Sequence, residues 1–221
     1  MNIYVCLSAE GIKNAEKQLG GEKFAELRVD LVKPTIDEME ELITRRRDVS
    51  FIVTCRPGFV DEETSLNYLR RAIDINAAYV DIEIERGAKL SAELERRAIN
   101  TAGKYRRQTQ IIVSYHNFKE TPRRKELEKL WSDMVNVYRA DIAKIACMVN
   151  EPTDNAELLS LYDFMSTRYV VAFGMGETGR LSRPMSLMCG AQFTYAAPDD
   201  GTPTAPGQYT VSEMKKILGI K

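Results

Sequence analysis

Short apolar runs rich in β-branched residues recur along the chain at a steady interval. They occupy residues 3–7, 24–29, 51–55, 78–84, 110–115, 141–148, 168–173 and 189–196. Between most of them the pattern turns helical, with apolar residues three and four apart. Leu127, Leu130, Trp131, Met134 and Val137 trace one such face, and Leu66, Leu69, Ile73 and Asn76 trace another that ends polar. Thr35-x-x-Glu38 and Thr210-x-x-Glu213 read as capping boxes, and Thr121-Pro122 as an N-cap followed by proline at the first helical position. Strands alternating with helices predict a parallel sheet. Eight repeats in 221 residues, about 28 residues each, account for the whole chain as a single domain and predict a (β/α)8 TIM barrel. An open doubly wound sheet is the alternative, but the first run ends Leu7-Ser8-Ala9-Glu10-Gly11, without a Gly-rich phosphate loop. Residues 197–208, rich in Pro, Gly and Asp, follow the last run and precede the last helix, a natural place for an active-site lid.

Strands of a parallel barrel are covered on both faces and should read as continuous apolar runs. Several of these carry charges instead. Glu26 and Arg28 share one strand, Asp81 and Glu83 another, and Lys144 sits inside a third. Arg56 and His116 close two more. Residues two apart share a face, so each charged doublet points together, either into the barrel or toward the helices. Buried charges must be paired or must serve chemistry. A buried ion-pair network is one reading of Glu26, Asp81 and Glu83. Lysine is ill suited to that role, and a lysine kept partly neutral attacks carbonyl carbon to form imines. His116 is the only histidine and ends a strand at the face where barrels carry out catalysis. Its near-neutral titration suits proton transfer from the carbon that an imine acidifies. Arg56 and Arg183 are candidate carboxylate clamps, Arg183 in a Gly-rich turn after the seventh run.

Composition narrows the partners. Hydrophobic residues make up 44% and charged residues 29%, and 31 basic against 32 acidic side chains leave a net charge of −1. That balance argues against nucleic acid. No apolar run approaches the ~18 residues of a membrane span. No basic segment followed by a long apolar stretch opens the chain, so a cytoplasmic protein without signal peptide is expected. Cys6, Cys55, Cys147 and Cys189 lack paired spacing and are expected as reduced core or near-core residues. One histidine excludes a His-rich metal site.

The motifs in order are Glu26-Leu27-Arg28-Val29-Asp30, Thr54-Cys55-Arg56, Asp81-Ile82-Glu83 and Ser114-Tyr115-His116-Asn117-Phe118. Lys144-Ile145-Ala146, the stretch from Met175 to Arg183 and Ala205-Pro206-Gly207-Gln208 complete the series. One element per strand across the chain, this set resembles the type I 3-dehydroquinate dehydratases. The resemblance implies that Lys144 forms a Schiff base with the ketone of 3-dehydroquinate. It implies that His116 takes the proton from the adjacent carbon and later protonates the departing hydroxyl, giving 3-dehydroshikimate on the route to chorismate. Glu26, Arg28 and Arg56 would bind substrate hydroxyls or its carboxylate, Arg183 the carboxylate, and Thr204 and Gln208 would close from the lid. No metal or nucleotide cofactor is implied, and a homodimer is.

The chain departs from the family pattern at four places. Val60 stands where relatives carry a glutamate that helps orient the histidine, with Glu62 or Glu63 as possible substitutes. Thr204 replaces a serine, Tyr195 a phenylalanine and Cys6 a strand-one serine. Two other readings follow: a Schiff-base barrel aldolase, which would want a phosphate site, and a non-catalytic metabolite-binding homologue, which the Val60 departure motivates.

Overall fold

The computed structural model describes residues 1–103, 109–164 and 170–220. Eight strands carry the architecture: β1 Asn2–Leu7, β2 Phe24–Arg28, β3 Ser50–Thr54, β4 Tyr79–Glu83, β5 Gln110–Asn117, β6 Ile142–Met148, β7 Val170–Met175 and β8 Phe193–Ala196. Every ladder is parallel, in the order β7-β6-β5-β4-β3-β2-β1-β8. Among the described residues no ladder joins β8 to β7. The barrel closes there through side chains, with the Phe173 and Tyr195 rings 6.0 Å apart. The helices between strands are α1 Ile12–Leu19, α2 Val29–Val32, α3 Ile36–Arg45, α4 Glu62–Asp74, α5 Ala88–Ala102, α6 Arg124–Asn136, α7 Pro152–Leu159, α8 Leu161–Phe164, α9 Ser182–Met188 and α10 Val211–Leu218. None is long and apolar enough to cross a membrane.

Strand alternation settles which way the charges point. Ala25 and Leu27, Val80 and Ile82, and Ala143 and Ile145 all join the large cluster under the helices. Their neighbours Glu26, Arg28, Asp81, Glu83 and Lys144 therefore face the barrel interior. Apolar interior positions form a second cluster. Tyr4, Phe193 and Tyr79 plug its lower end, with Tyr4 and Phe193 ring centroids 4.9 Å apart and Tyr79 and Phe193 5.5 Å. Above the plug, Glu26, Arg28, Asp81, Glu83 and Lys144 line the upper part of the interior, toward the end where the strands finish and a barrel keeps its site.

Both capping boxes form. Thr35 accepts from Glu38 N at 3.2 Å and Thr210 from Glu213 N at 3.2 Å, each with the reciprocal bond. Five local expectations are corrected. Thr121 does not cap α6, which starts at Arg124, because its hydroxyl donates to the Met148 carbonyl at 2.7 Å. Val137 follows that helix and is exposed, and Asn76 lies past the end of α4 with φ 59. The eighth run begins as helix end rather than strand, so Cys189 is exposed while the other three cysteines are buried. Val29 belongs to the short helix α2, not to β2. The start of the seventh run, Arg168 and Tyr169, lies outside the described residues.

Candidate active site

The mouth of the barrel holds one pocket whose lining includes Glu26, Arg28, Arg56, His116, Lys144, Arg183, Thr204 and Gln208. All eight residues expected from the sequence therefore meet in one place. Cys6, Phe118, Ala146, Phe173, Met175, Tyr195 and Ala205 complete the wall.

Lys144 projects inward from β6 and is buried. It is not isolated. Its Nζ pairs with Asp81 of β4, equally buried. The second oxygen of Asp81 accepts from the Ser114 hydroxyl at 2.6 Å. Register explains the triangle, because β5 lies between β4 and β6 and sets Ser114 opposite both Glu83 and Lys144. The carboxylate holds the ammonium in place and is the nearest acceptor for the proton an attacking amine must lose. Lys144 also lies 4.9 Å from the centre of the Tyr195 ring.

His116 sits near the end of β5, where Asn117 turns the chain by accepting from Lys119 N at 2.9 Å and Glu120 N at 3.2 Å. Burial, with the charges of Lys144 and Arg56 beside it, holds the imidazole well below its usual titration range. It is a neutral base at physiological pH. Arg56 Nη2 lies 3.0 Å from its Nε2, and Glu83 Oε1 lies 3.4 Å from its Nδ1. The carboxylate beside His116 is thus Glu83. Of the two possible substitutes named from the sequence, Glu62 lines a separate cleft with Val60, and Glu63 pairs with Arg70.

The acidic and basic groups below are held in pairs. Arg28 donates from Nε and Nη2 to the two oxygens of Asp30, at 2.9 and 2.6 Å, because α2 folds the chain back immediately after β2. Glu26 accepts from the Thr54 hydroxyl at 2.8 Å. Burial alone would raise the Glu26 carboxyl, but Lys144 and Arg28 outweigh it and keep it below its usual value.

Arg183 is the exception. It is 1% exposed, lies over the Phe173 ring at 4.5 Å, and has no partner for Nε or Nη2 among the described residues. Burial brings its guanidinium down to about 10. An unpaired buried guanidinium is costly and marks a socket for an anion. The loop before α10 covers the pocket. Gln208 Oε1 accepts from Thr204 N at 2.9 Å and from the Thr204 hydroxyl at 3.1 Å, while its Nε2 donates to Cys6 Sγ at 3.2 Å. Gly176 N donates to the Pro206 carbonyl at 3.2 Å, and Gly207, with φ 72, lies backbone to backbone against Gly176.

The roles of Asp81 and Glu83 were missed by sequence reasoning, although their spacing marked them as an inward-facing doublet. No group of three or more metal-ligating side chains gathers among the described residues.

A parallel eight-stranded barrel with an ion-paired lysine, a neutral histidine and an orphan guanidinium at its mouth defines a barrel enzyme built for carbonyl chemistry on an anionic substrate. The comparisons narrow this. Residues 5–221 match the model of the type I 3-dehydroquinase family. The 3-dehydroquinate dehydratase of Dehalococcoides mccartyi strain BAV1 is 34% identical over 215 residues, 95% of this chain and 89% of that protein. The enzyme of the same name from Methanocaldococcus jannaschii is 30% identical, covering 94% and 91%. The crystal structure of 3-dehydroquinate dehydratase from Geobacillus kaustophilus HTA426 shares the fold, with TM-score 0.83, 21% identity and coverage of 99% and 90%. The chain belongs to the type I 3-dehydroquinase family.

Proposed function

We propose that this chain removes water from 3-dehydroquinate to give 3-dehydroshikimate, as a hydro-lyase acting through an imine on Lys144 with His116 as proton carrier. One observation supports this above the rest: a single pocket joins an inward lysine, a neutral histidine and a buried guanidinium lacking a carboxylate partner.

The sequence of steps follows from these groups. Lys144 passes a proton to Asp81, adds to the substrate ketone and expels water as the iminium forms. The iminium acidifies the neighbouring carbon, and His116 takes its proton to leave an enamine. The enamine pushes out the β-hydroxyl, which leaves as water with the proton from His116. Hydrolysis of the new iminium frees Lys144. No metal or nucleotide takes part. Arg183 holds the carboxylate, and Glu26, Arg28 and Arg56 hold hydroxyls. Thr204 and Gln208 close over the substrate as part of a lid at residues 197–208. A homodimer in the cytoplasm completes the proposal. The homodimer rests on the family resemblance, and sedimentation tests it.

Intact-mass spectrometry after mixing the protein with 3-dehydroquinate and sodium borohydride tests the imine. A reduced adduct mapping to Lys144, absent in Lys144→Ala, is the expected result. Calorimetric binding without an adduct would leave a metabolite-binding protein in place of an enzyme.

A further inference from the structure

The proton carrier has an unusual pair of neighbours. Arg56 Nη2 lies 3.0 Å from His116 Nε2. A guanidinium has only donors, so Nε2 must be the accepting nitrogen. A neutral imidazole that accepts at Nε2 carries its proton on Nδ1. Glu83 Oε1 lies 3.4 Å from Nδ1, near but outside hydrogen-bond geometry, and Nδ1 has no hydrogen-bond partner among the described residues, so Glu83 is placed to accept its proton after a small shift. The same carboxylate oxygen receives Arg56 Nη1 at 3.2 Å. Arg56 thus bridges Glu83 and His116, three side chains brought together from the end of β3, from β4 and from β5.

We propose that Glu83 is the positioning residue of His116: it fixes the Nδ1–H tautomer, and with Arg56 it keeps the basic Nε2 capped until substrate arrives. This rests on the function proposed above.

Position supports the assignment. Glu83 shares its inward face with Asp81, which holds Lys144, so one strand sets both reacting side chains. The β3–α4 loop offers no carboxylate in its place. Val60 packs on the helix-side core, Glu62 lines another cleft and Glu63 is taken by Arg70. Capping has a chemical consequence. While Arg56 donates to Nε2, the lone pair that would accept the substrate proton is occupied. An arriving substrate oxygen competes for the guanidinium, and the base is uncovered only when there is something to deprotonate. Once Nε2 takes the proton, the imidazolium faces Glu83, and the carboxylate stabilises the charge that proton transfer creates.

The groups facing His116 set the sign of the pH effect. Lys144 and Arg56 disfavour its charged form, while Asp81 and Glu26 favour it. Loss of the Glu83 charge shifts this balance further toward the neutral ring. In Glu83→Gln, kcat is expected to fall at least tenfold, part of the roughly 10²–10⁴ that a positioned acid–base group contributes. The acid limb of the kcat profile moves to lower pH, because a weaker base stays unprotonated longer. Borohydride trapping on Lys144 persists, since Glu83 does not touch the lysine. Glu62→Gln and Glu63→Gln keep wild-type kcat and an unmoved limb.

The chain has one histidine, so ¹⁵N-histidine labelling gives one imidazole to observe. Long-range ¹H–¹⁵N spectra of the wild-type protein at neutral pH are expected to show Nδ1 protonated and Nε2 bare. A proton on Nε2 would overturn the proposal, as would a Glu83→Gln enzyme with unchanged kcat and acid limb, or a Glu62 or Glu63 variant that shifts the limb instead. Failure of the wild-type protein to trap an imine would count against the proposed function and leave the tautomer assignment to its own spectrum.

Discussion

Arg183→Met should make the protein more stable while disabling it. Arg183 is buried against Phe173 with two guanidinium nitrogens lacking partners. The fall of its guanidinium from 12.5 to about 10 corresponds to roughly 3 kcal/mol of unfavourable burial at neutral pH. The Phe173 ring offsets about 1–2 kcal/mol of that through its contact with the cation. Methionine fills similar space without a charge, so the net gain is about 1–2 kcal/mol, or roughly 2–8 °C in Tm for a domain of this size. The substrate carboxylate then loses its buried charged partner, which costs about 2–5 kcal/mol. kcat/KM should accordingly fall about thirtyfold or more. Scanning calorimetry without ligand and steady-state kinetics on the same preparation give both numbers. 3-Dehydroquinate should raise the wild-type Tm and leave that of Arg183→Met nearly unmoved. A variant less stable than wild type would refute the reasoning, because it would mean that the guanidinium is satisfied in the empty site.

Three other outcomes follow from the structure. His116 refuses a proton that the unfolded chain accepts below pH ~6.5, so stability is lost as pH falls from there toward the lower folded value, by about 1.4 kcal/mol per pH unit; urea denaturation between pH 7 and 5 should show this slope in wild type and a reduced one in His116→Asn. Gly207→Ala drives a methyl group into the Gly176 carbonyl at a positive φ, so the loop lifts and KM should rise tenfold or more with Lys144 still trappable by borohydride. Of the four cysteines only Cys189 is exposed, so a thiol reagent under native conditions should titrate one group, and the other three only after unfolding.

Much of the barrel could be read from local pattern because the signals involved are local. Apolar runs mark strands, and two-residue spacing shows that Asp81 goes with Glu83 and Glu26 with Arg28. The direction they face follows once Val80, Ile82, Ala25 and Leu27 are known to pack under the helices. Pairing across strands is different. Lys144 meets a carboxylate 63 residues away, and His116 meets Glu83 and Arg56. Those contacts depend on the register of three ladders, which no local pattern records. The same limit explains the errors. Thr121 looks like a cap until the Met148 carbonyl claims its hydroxyl, and Cys189 looks like strand until Gly190, with φ 106, turns the chain before β8.

The seam between β7 and β8 divides the labour of the site. Glu26, Arg28, Arg56, Asp81, Glu83, His116 and Lys144 all stand on or at the end of β2 to β6, five strands stitched edge to edge by backbone hydrogen bonds. Arg183 and the loop bearing Thr204 and Gln208 follow the two strands that flank the seam, where among the described residues side chains but no ladder meet. In the proposed mechanism the bond-making groups thus share a hydrogen-bonded frame, and the groups proposed to hold the substrate flank the edge that lacks a ladder among the described residues. Amides along β7 and β8 that face each other should exchange with deuterium faster than those of β5, and the difference should shrink when the anion socket is filled.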